Sequence, residues 1–306
     1  MRKITIFADQ LHRAVDAVRW ADPKGSSMGV RRWGIHLRAE GDHLTATVTD
    51  SHVWATFRVP LPFHQVGVLC LDLKALRDHL VTAPPAQVVE LPGEVPVLEP
   101  SRFPFPPLFE SAGEFPLQRK GLREALAYVD HAAQKRGEIW WGPEEIAASD
   151  GPRLAIAPFP TGLPRSIALP LKLMEGLRRQ GRKSTNEIKV QLIDSAVRFT
   201  CGEESCVGVI LRTFLPDYKL AVPTETPLHF NFNAKTLLAD LPPGDERFTL
   251  ALPNLKISFD ARNLREAVRA LKSPTVQMRA AAPDTPVIFS SPRTSAYEVI
   301  MPMRPL

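Results

Sequence analysis

Six segments of the chain repeat apolar residues at intervals of three and four, the spacing typical of amphipathic helices. Leu11 and Val15 share a face in the first segment, and Leu264 and Val268 do so in the last. Three segments carry an aspartate where helix N-caps or first-turn acids belong, namely Asp9, Asp72 and Asp260. The pattern predicts helices over residues 8–20, 72–82, 117–134, 170–183, 233–242 and 260–272.

Between these helices, apolar and β-branched residues occur in short runs with the character of strands. The predicted strands cover residues 43–50, 53–61, 187–201, 207–215, 247–252, 255–259, 276–282, 286–291 and 296–302. Each repeat is therefore one helix followed by several short, mostly antiparallel strands. This arrangement predicts an α+β fold.

Two helix openings are alike at the level of single residues. FNAKTLLADL (232–241) and FDARNLREAV (259–268) each place Phe, a short polar residue and Ala before a basic residue and an apolar stripe. An internal repeat of this kind predicts a repeated architecture. The six helix-plus-strands units group as three pairs, which predicts three similar domains over residues 1–116, 117–223 and 224–306.

Positive charge is concentrated in the six helical segments. They contain seventeen Lys and Arg and ten Asp and Glu, a net charge of +7, whereas the whole chain of 306 residues carries +5. For a single helix, a solvated outer face is the better explanation. Across six repeated helices, the excess favours a shared surface for phosphates that reads no base sequence.

No motif in the sequence points to catalysis. It contains no phosphate-binding glycine loop and no HExxH. Asp50 and Asp150 recur at equivalent places and could suggest metal ligands, but turn acids that bond their own backbone explain the repetition better. Cys70, Cys201 and Cys206 lack metal-ligand spacing and are expected to fill the core. We expect no enzyme activity and no cofactor.

The sequence also predicts a location. The first residues, MRKITIFADQL, contain too short an apolar run for a secretory signal, and no segment approaches membrane-spanning length. We therefore expect a cytoplasmic protein with no membrane partner.

Three stretches resemble the signature stretches of the bacterial sliding clamp family, the beta subunit of DNA polymerase III. They are SDGPRLAIA (149–157), FLPDYKLAVP (214–223) and YEVIMPMRPL (297–306), and the order and spacing of the six helical units fit as well. The resemblance implies a homodimeric ring of three-domain subunits whose helices line a hole around double-stranded DNA. It implies a processivity factor that binds DNA without sequence preference and tethers the replicative polymerase. The chain resembles a shortened member of the family.

The resemblance further implies a hydrophobic pocket in which DNA polymerase and the clamp loader insert a short peptide. Such a pocket would be apolar and lined by methionine, with arginines at its rim. Its residues here would be Ser149, Gly151, Arg153, Leu154, Pro216, Val299, Met301, Pro302, Met303 and Arg304. The chain departs from the family at Pro152, where histidine is usual, at Leu220 and Ala221, and at the additional Pro305. We therefore expect an altered peptide preference.

DNA contacts and a subunit interface complete the expected set of sites. The predicted DNA-binding residues are Lys24, Arg31, Arg32, Lys135, Arg136, Lys172, Arg178, Arg179, Arg265 and Arg269. In the QKRGEIWWG turn, Trp140 would be either a base-stacking residue or part of the core, and the core is favoured. Phe103 and Phe105 alternate on a predicted strand and would form an apolar dimer interface, unless both are buried in their own domain.

Two other functions remain open at this point. We expect a trimmed third domain, because NAKTLLADLPPGDERF passes almost directly from a short helix into a strand. A clamp-derived adaptor or decoy would bind the partner peptides without encircling DNA. An open basic module would bind DNA without closing around it, and its binding would fall steeply as salt rises.

Overall fold

All six predicted helices form. The computed structural model describes residues 3–23, 33–110, 112–179, 187–212, 216–253 and 255–304. Within those ranges the α-helices are α1 Ala8–Val18, α2 Leu73–Thr82, α3 Arg119–Ala133, α4 Leu171–Arg179, α5 Ala234–Asp240 and α6 Ala261–Ala270. Each buries its apolar stripe, as α1 does with Leu11, Val15 and Val18. The α+β fold class is confirmed.

Strands are more numerous than the sequence pattern predicts. They are β1 Ile4–Phe7, β2 Ile35–Thr49, β3 Val53–Leu71, β4 Val88–Leu91, β5 Val97–Leu98, β6 Glu114–Gln118, β7 Glu138–Trp141, β8 Glu145–Ser149, β9 Arg153–Pro158, β10 Ile167–Pro170, β11 Glu187–Leu192, β12 Ala196–Cys201, β13 Glu204–Val209, β14 Leu228–Asn233, β15 Arg247–Leu252, β16 Leu255–Asp260, β17 Thr275–Ala280, β18 Val287–Ser291 and β19 Thr294–Ile300. Residues 138–141, assigned to a turn from the sequence, form β7 instead. All four residues of β7 are buried, so the strand shows no alternation of apolar and polar positions.

The residue-level repeat has a structural basis in the way strands lead into helices. β14 ends at Asn233, whose side chain accepts a hydrogen bond from the N–H of Thr236 at the start of α5. β16 ends at Asp260, which accepts one from the N–H of Asn263 in α6 at 3.0 Å. Asp72 caps α2 in the same way. Each cap satisfies a backbone donor that the first helical turn leaves unpaired.

The chain forms two compact units. Unit 1 comprises residues 1–119 and 172–210, and unit 2 comprises residues 120–171 and 211–306. Both units draw on residues of the predicted second domain, 117–223. The division into three domains stays a prediction.

The described residues of unit 1 form a main antiparallel sheet and the helices α1, α2 and α4. Among the described residues its main sheet has the order β2-β3-β13-β12-β11-β6, and β5 pairs with the end of β3. β1 and β4 form a separate two-stranded sheet. Gly176 of α4 lies against the indole of Trp20, where an added Cβ would come within 2.2 Å of the ring. The close approach of this helix depends on the missing side chain.

Unit 2 is organised around a larger sheet. Its described strands follow the order β10-β7-β8-β9-β19-β18-β17-β14, and every neighbouring pair is antiparallel. β15 and β16 form a separate hairpin between α5 and α6. Only residues 241–246 separate α5 from β15, so the helix passes almost directly into a strand, as the sequence indicates.

The predicted interface pair needs a correction, because residues 103–109 form no strand. Prolines at positions 104, 106 and 107 cannot donate to a strand ladder, which explains the irregular backbone. The two rings are 5.6 Å apart, but Phe103 is only 4% exposed whereas Phe105 is 59% exposed. Of these two phenylalanines, only Phe105 therefore offers apolar surface to a partner.

The predictions for the two turn acids and for the cysteines are confirmed. Asp50 accepts hydrogen bonds from the backbone N–H groups of His52 and Val53, and Asp150 accepts one from Arg153, so both are turn acids between paired strands. All three cysteines are buried and unbridged. In the part of the chain that the structure describes, no helix combines the length and apolar character needed to cross a bilayer.

Candidate peptide-binding site and basic surface

The C-terminal tail is attached to two other parts of unit 2. β19 pairs with β9, so that Val299 lies opposite Leu154. Beyond the strand, Met301 donates its N–H to the carbonyl of Pro152 at 2.7 Å. Met303 donates its N–H to the carbonyl of Ser258 at 2.8 Å. These bonds hold residues 301–303 in place, since segments near a chain end usually fray unless they are held.

The sheet of unit 2 presents two different faces along β9 and β19. Successive strand residues point to opposite sides. Leu154 and Val299 belong to a buried apolar cluster with Trp140, against which the half-buried Tyr218 and Tyr297 pack. We call this side the tyrosine face. Arg153 and Glu298 alternate with Leu154 and Val299, so they lie on the opposite side, which we call the helix face.

Tyr218 joins the second signature stretch to the other two. Its ring stacks on Trp140 with the ring centroids 5.4 Å apart and the planes inclined by 11°. Its hydroxyl donates a hydrogen bond to Oε1 of Glu145 at 2.9 Å. Burial and this contact raise the pKa of Tyr218 above its ordinary value. Trp140 is buried, so its prediction as a core residue is confirmed.

Around this cluster, several predicted site residues remain accessible. Met301 is 44% exposed, and Leu220 is 84% exposed. Gly151 and Arg304 are also exposed, whereas four others are half-buried, namely Ser149, Pro216, Pro302 and Met303. Leu154 and Val299 are buried beneath them. The structure thus brings residues of all three signature stretches to one region of unit 2, with an apolar floor and accessible methionine and leucine side chains.

Arg153 was expected at the rim of the peptide pocket, but the structure buries it elsewhere. It is 5% exposed, and its guanidinium has three internal partners. Its Nε donates to Asp150 at 2.8 Å, and one terminal nitrogen donates to Glu266 of α6 at 2.6 Å. The other terminal nitrogen donates to the carbonyl of His131 in α3 at 3.0 Å. Leu154 points to the tyrosine face, and successive strand residues point to opposite sides, so its neighbour Arg153 must point towards the helices. Strand alternation in the sequence could have indicated this.

A second buried charged pair lies on the helix face. Nε2 of His131 is 3.1 Å from Oε1 of Glu298, whose side chain is fully buried. Burial raises the pKa of Glu298, although His131 and Arg153 reduce the rise. Burial lowers the pKa of His131, but the nearby carboxylates of Glu298 and Glu266 together outweigh burial, so that the pKa lies above its ordinary value. The sequence analysis missed Glu298, because a glutamate between apolar neighbours in a strand usually occupies a solvent-exposed position.

The turn between β8 and β9 is held tightly. The hydroxyl of Ser149 donates to the carbonyl of Arg153 at 2.8 Å and accepts from the N–H of Gly151 at 3.1 Å. Gly151 adopts a positive φ of 107°, which other residues rarely tolerate. This turn also carries Pro152, the acceptor for the tail.

The predicted DNA-binding residues fall into groups, and Lys172 needs a correction. Its ammonium donates to the carbonyls of Ala21 and Asp22 at 2.9 Å each, and to Asp50 at 2.8 Å. A lysine ammonium has three donors, so all of them are used within unit 1. Lys172 stabilises the turn between β2 and β3 and is not available to a phosphate.

Other basic candidates differ in how freely they are presented. Arg265 donates to the carbonyls of Gly244 and Pro242, and Arg179 pairs with Glu175 at 2.8 Å. Arg178 is half-buried in the last turn of α4. Lys135, Arg136 and Arg269 are exposed. Lys24, Arg31 and Arg32 lie outside the described residues.

A basic cleft in unit 1 contains residues that the sequence analysis did not select. It has a volume of about 290 Å³ and lies between the end of α1, α2 and α4. Its basic side chains are Arg19, Lys74, Arg77 and Arg179. Lys74 and Arg77 are spaced three apart on α2, so they share a side of the helix. This spacing is the feature of the sequence from which the basic side of α2 could have been predicted.

No family model matches the sequence, and no curated protein sequence matches it. Solved protein structures do match the fold of the chain. The DNA polymerase sliding clamp from Bacillus subtilis aligns over 100% of both chains with a TM-score of 0.84 at 16% identity. The sliding clamp from Caulobacter crescentus aligns over 100% of both chains with a TM-score of 0.85 at 19% identity. The chain has the fold of the bacterial sliding clamps.

A solved sliding clamp that carries a bound ligand matches the chain as well. The sliding clamp from Pseudomonas aeruginosa was solved bound to griselimycin, and it aligns with a TM-score of 0.84 at 17% identity over 99% of this chain and 100% of its own. The clamp fold accounts for the repeated helix-plus-strands pattern of the sequence.

Proposed function

We propose that the protein is a sliding clamp, a non-catalytic processivity factor. Two copies would form a ring around double-stranded DNA and tether the replicative polymerase to it. The observation that carries this proposal is the agreement with solved clamps over the whole chain, with a TM-score of 0.84 for the Bacillus subtilis protein. The excess of positive charge on the six helices supports it independently, because such helices suit contact with phosphates.

DNA would be held through its backbone, without sequence preference. The exposed Lys135, Arg136 and Arg269, together with Lys74 and Arg77 of the basic cleft, carry the positive charge that is best placed for this role. Phosphate contacts position a protein on a duplex but carry no sequence information directly. A protein that must slide requires contacts of this kind.

Polymerase and clamp loader would bind on the tyrosine face through a short peptide. The accessible Met301 and Leu220 above a buried apolar cluster suit aliphatic or aromatic anchors of an extended segment. Methionine adapts its shape to different partners, which suits a site shared by several proteins. Arg304 remains exposed at the end of the tail and can meet acidic residues flanking the anchors.

Retention on circular DNA tests the proposal directly. The protein is loaded onto nicked circular duplex DNA with a clamp loader, washed at high salt, and assayed before and after the DNA is linearised with a restriction enzyme. A ring stays on the circle and leaves the linear molecule, since topology rather than charge holds it. Equal loss from both would refute the ring. An open basic module would be released from both as salt rises.

A clamp-derived adaptor or decoy is the second candidate function. The observation that favours it is that β15 and β16 are the only strands between α5 and α6 within the described residues. If this connection prevented ring closure, the protein would bind partner peptides without encircling DNA. Light scattering over a range of concentrations separates the two functions. A mass near twice 34.0 kDa supports the ring, and a monomer at every concentration supports the adaptor.

A further inference from the structure

The guanidinium of Arg153 connects three elements of unit 2. Asp150 belongs to the turn between β8 and β9, Glu266 to α6, and the His131 carbonyl to the last turn of α3. Bonds to charged groups are stronger than neutral ones, and a planar guanidinium fixes the direction of each. Since Arg153 is nearly completely buried, these bonds are poorly screened by solvent.

The same turn carries the C-terminal tail. Pro152 is the direct chain neighbour of Arg153, and its carbonyl accepts the N–H of Met301. Asp150 also accepts the backbone N–H of Arg153, so side-chain and main-chain bonds both stabilise the turn. Any displacement of Arg153 therefore moves the acceptor that positions Met301.

Glu298 provides a second connection from the helix face to the tail. It lies on β19, three residues before Met301, and its carboxylate approaches His131 of α3. Thus α3 is linked to β19 directly and to β9 through Arg153. Neither link involves a residue of the tyrosine face.

We infer that Arg153, Glu266 and His131 are positioning residues for the peptide site. They hold the turn and the start of the tail from the helix face of the sheet. Peptide affinity then depends on side chains that never touch the peptide. This inference rests on the proposed peptide-binding role of the tyrosine face.

Substitutions at Glu266 test it in the full-length protein. Glu266→Ala removes one partner of Arg153, and Glu266→Gln keeps the volume and one neutral acceptor. The matched control is Arg262→Ala, because Arg262 is the other partner of Glu266, at 3.2 Å on the exposed side of α6. The control leaves the contact between Arg153 and Glu266 intact.

Two readouts are measured on each variant. Hydrogen exchange is followed in the segments 149–153 and 299–304, and the affinity for griselimycin is measured by calorimetry. We expect Glu266→Ala to speed exchange in those two segments and to weaken griselimycin binding roughly two- to thirtyfold, with Glu266→Gln intermediate. Arg262→Ala should match the wild-type protein in both.

The outcomes separate this inference from the proposed function. Unchanged exchange and affinity in both Glu266 variants would overturn the positioning role while leaving the peptide site in place. Faster exchange spread over the whole of unit 2 would indicate a general loss of stability and would also overturn it. If griselimycin fails to bind the wild-type protein, or slows exchange only in segments other than these two, the proposed peptide site is in doubt, and exchange in the two segments without ligand still decides the positioning role.

Discussion

At the scale of single residues, burial decides what a charged or titratable group can do. His36 of β2 packs against two aromatic rings, with its centroid 5.0 Å from those of Phe103 and Phe105. Burial, together with the nearby charge of Arg38, lowers the pKa of His36 to about 4. A histidine with a lowered pKa stays neutral in the folded protein while the unfolded chain already takes up a proton. Stability is therefore lost as pH falls from 6.5 towards 4.

We predict that His36 makes unit 1 acid-sensitive. Between pH 7.5 and pH 5, its titration should lower the free energy of unfolding by about 2 kcal/mol. Glutamine at position 36 does not titrate, so His36→Gln should lose less stability over this range. Urea titrations at the two pH values measure the difference. The exposed His64, changed to Gln, is the control and should keep the wild-type loss. Equal losses in wild type and His36→Gln would contradict the prediction.

At the scale of elements, two kinds of interaction position the helices. One is the polar cap at the end of a strand, which the sequence repeats at Asn233 and Asp260. The other is close packing made possible by a missing side chain, as at Gly176 against Trp20. The first can be recognised from the sequence because it acts over three residues. The second cannot, because its partner is distant in the chain.

We predict that Asp260→Ala destabilises unit 2 by about 1 kcal/mol, because the N–H of Asn263 loses its acceptor at the start of α6. Asp260→Ser retains a capping oxygen and should restore most of the loss. Chemical denaturation of the three proteins provides the comparison. A serine variant as unstable as the alanine variant would show that capping is not the cause.

We predict that Gly176→Ala destabilises unit 1, although alanine is the better helix former by about 1 kcal/mol. The new methyl group would lie 2.2 Å from the buried indole of Trp20, and overpacking of this kind costs roughly 1–3 kcal/mol. The urea midpoint should therefore fall. Gly113→Ala is the control, since its added carbon meets nothing within 4 Å. A midpoint that rises in Gly176→Ala would show that the helix can shift at little cost.

At the scale of the whole molecule, the distribution of charge matters more than its total. The six helical segments carry a net +7 and the whole chain +5, so the rest of the chain is slightly acidic. Some helical cations are used internally, as Lys172 and Arg265 are. The charge available to DNA is therefore smaller than the sequence count implies. Exposed cations on the helices or in the turns beside them should dominate binding.

We predict that Arg269→Ala weakens binding to duplex DNA equally for unrelated sequences and reduces the slope of log affinity against log salt by about 1. Arg269 is exposed in the last turn of α6. Lys256→Ala removes the same charge from an exposed position on β16 and serves as the control. Fluorescence anisotropy across a salt series gives both slopes. A matching loss in the Lys256 variant would mean that only net charge matters.

The helices, the aspartate caps and the α+β class could be predicted from the sequence. These features follow from periodicity and from contacts within a few residues, which a linear pattern records. Tertiary structure alone decided that Arg153 faces the helices, that Lys172 is consumed within unit 1, and that Phe103 is buried while Phe105 is not. The physical reason is distance along the chain. Arg153 and Glu266 are 113 residues apart, and Lys172 and Asp50 are 122 apart. Only folding brings such groups within hydrogen-bonding reach, and only then does burial determine whether a charge serves a partner or the fold.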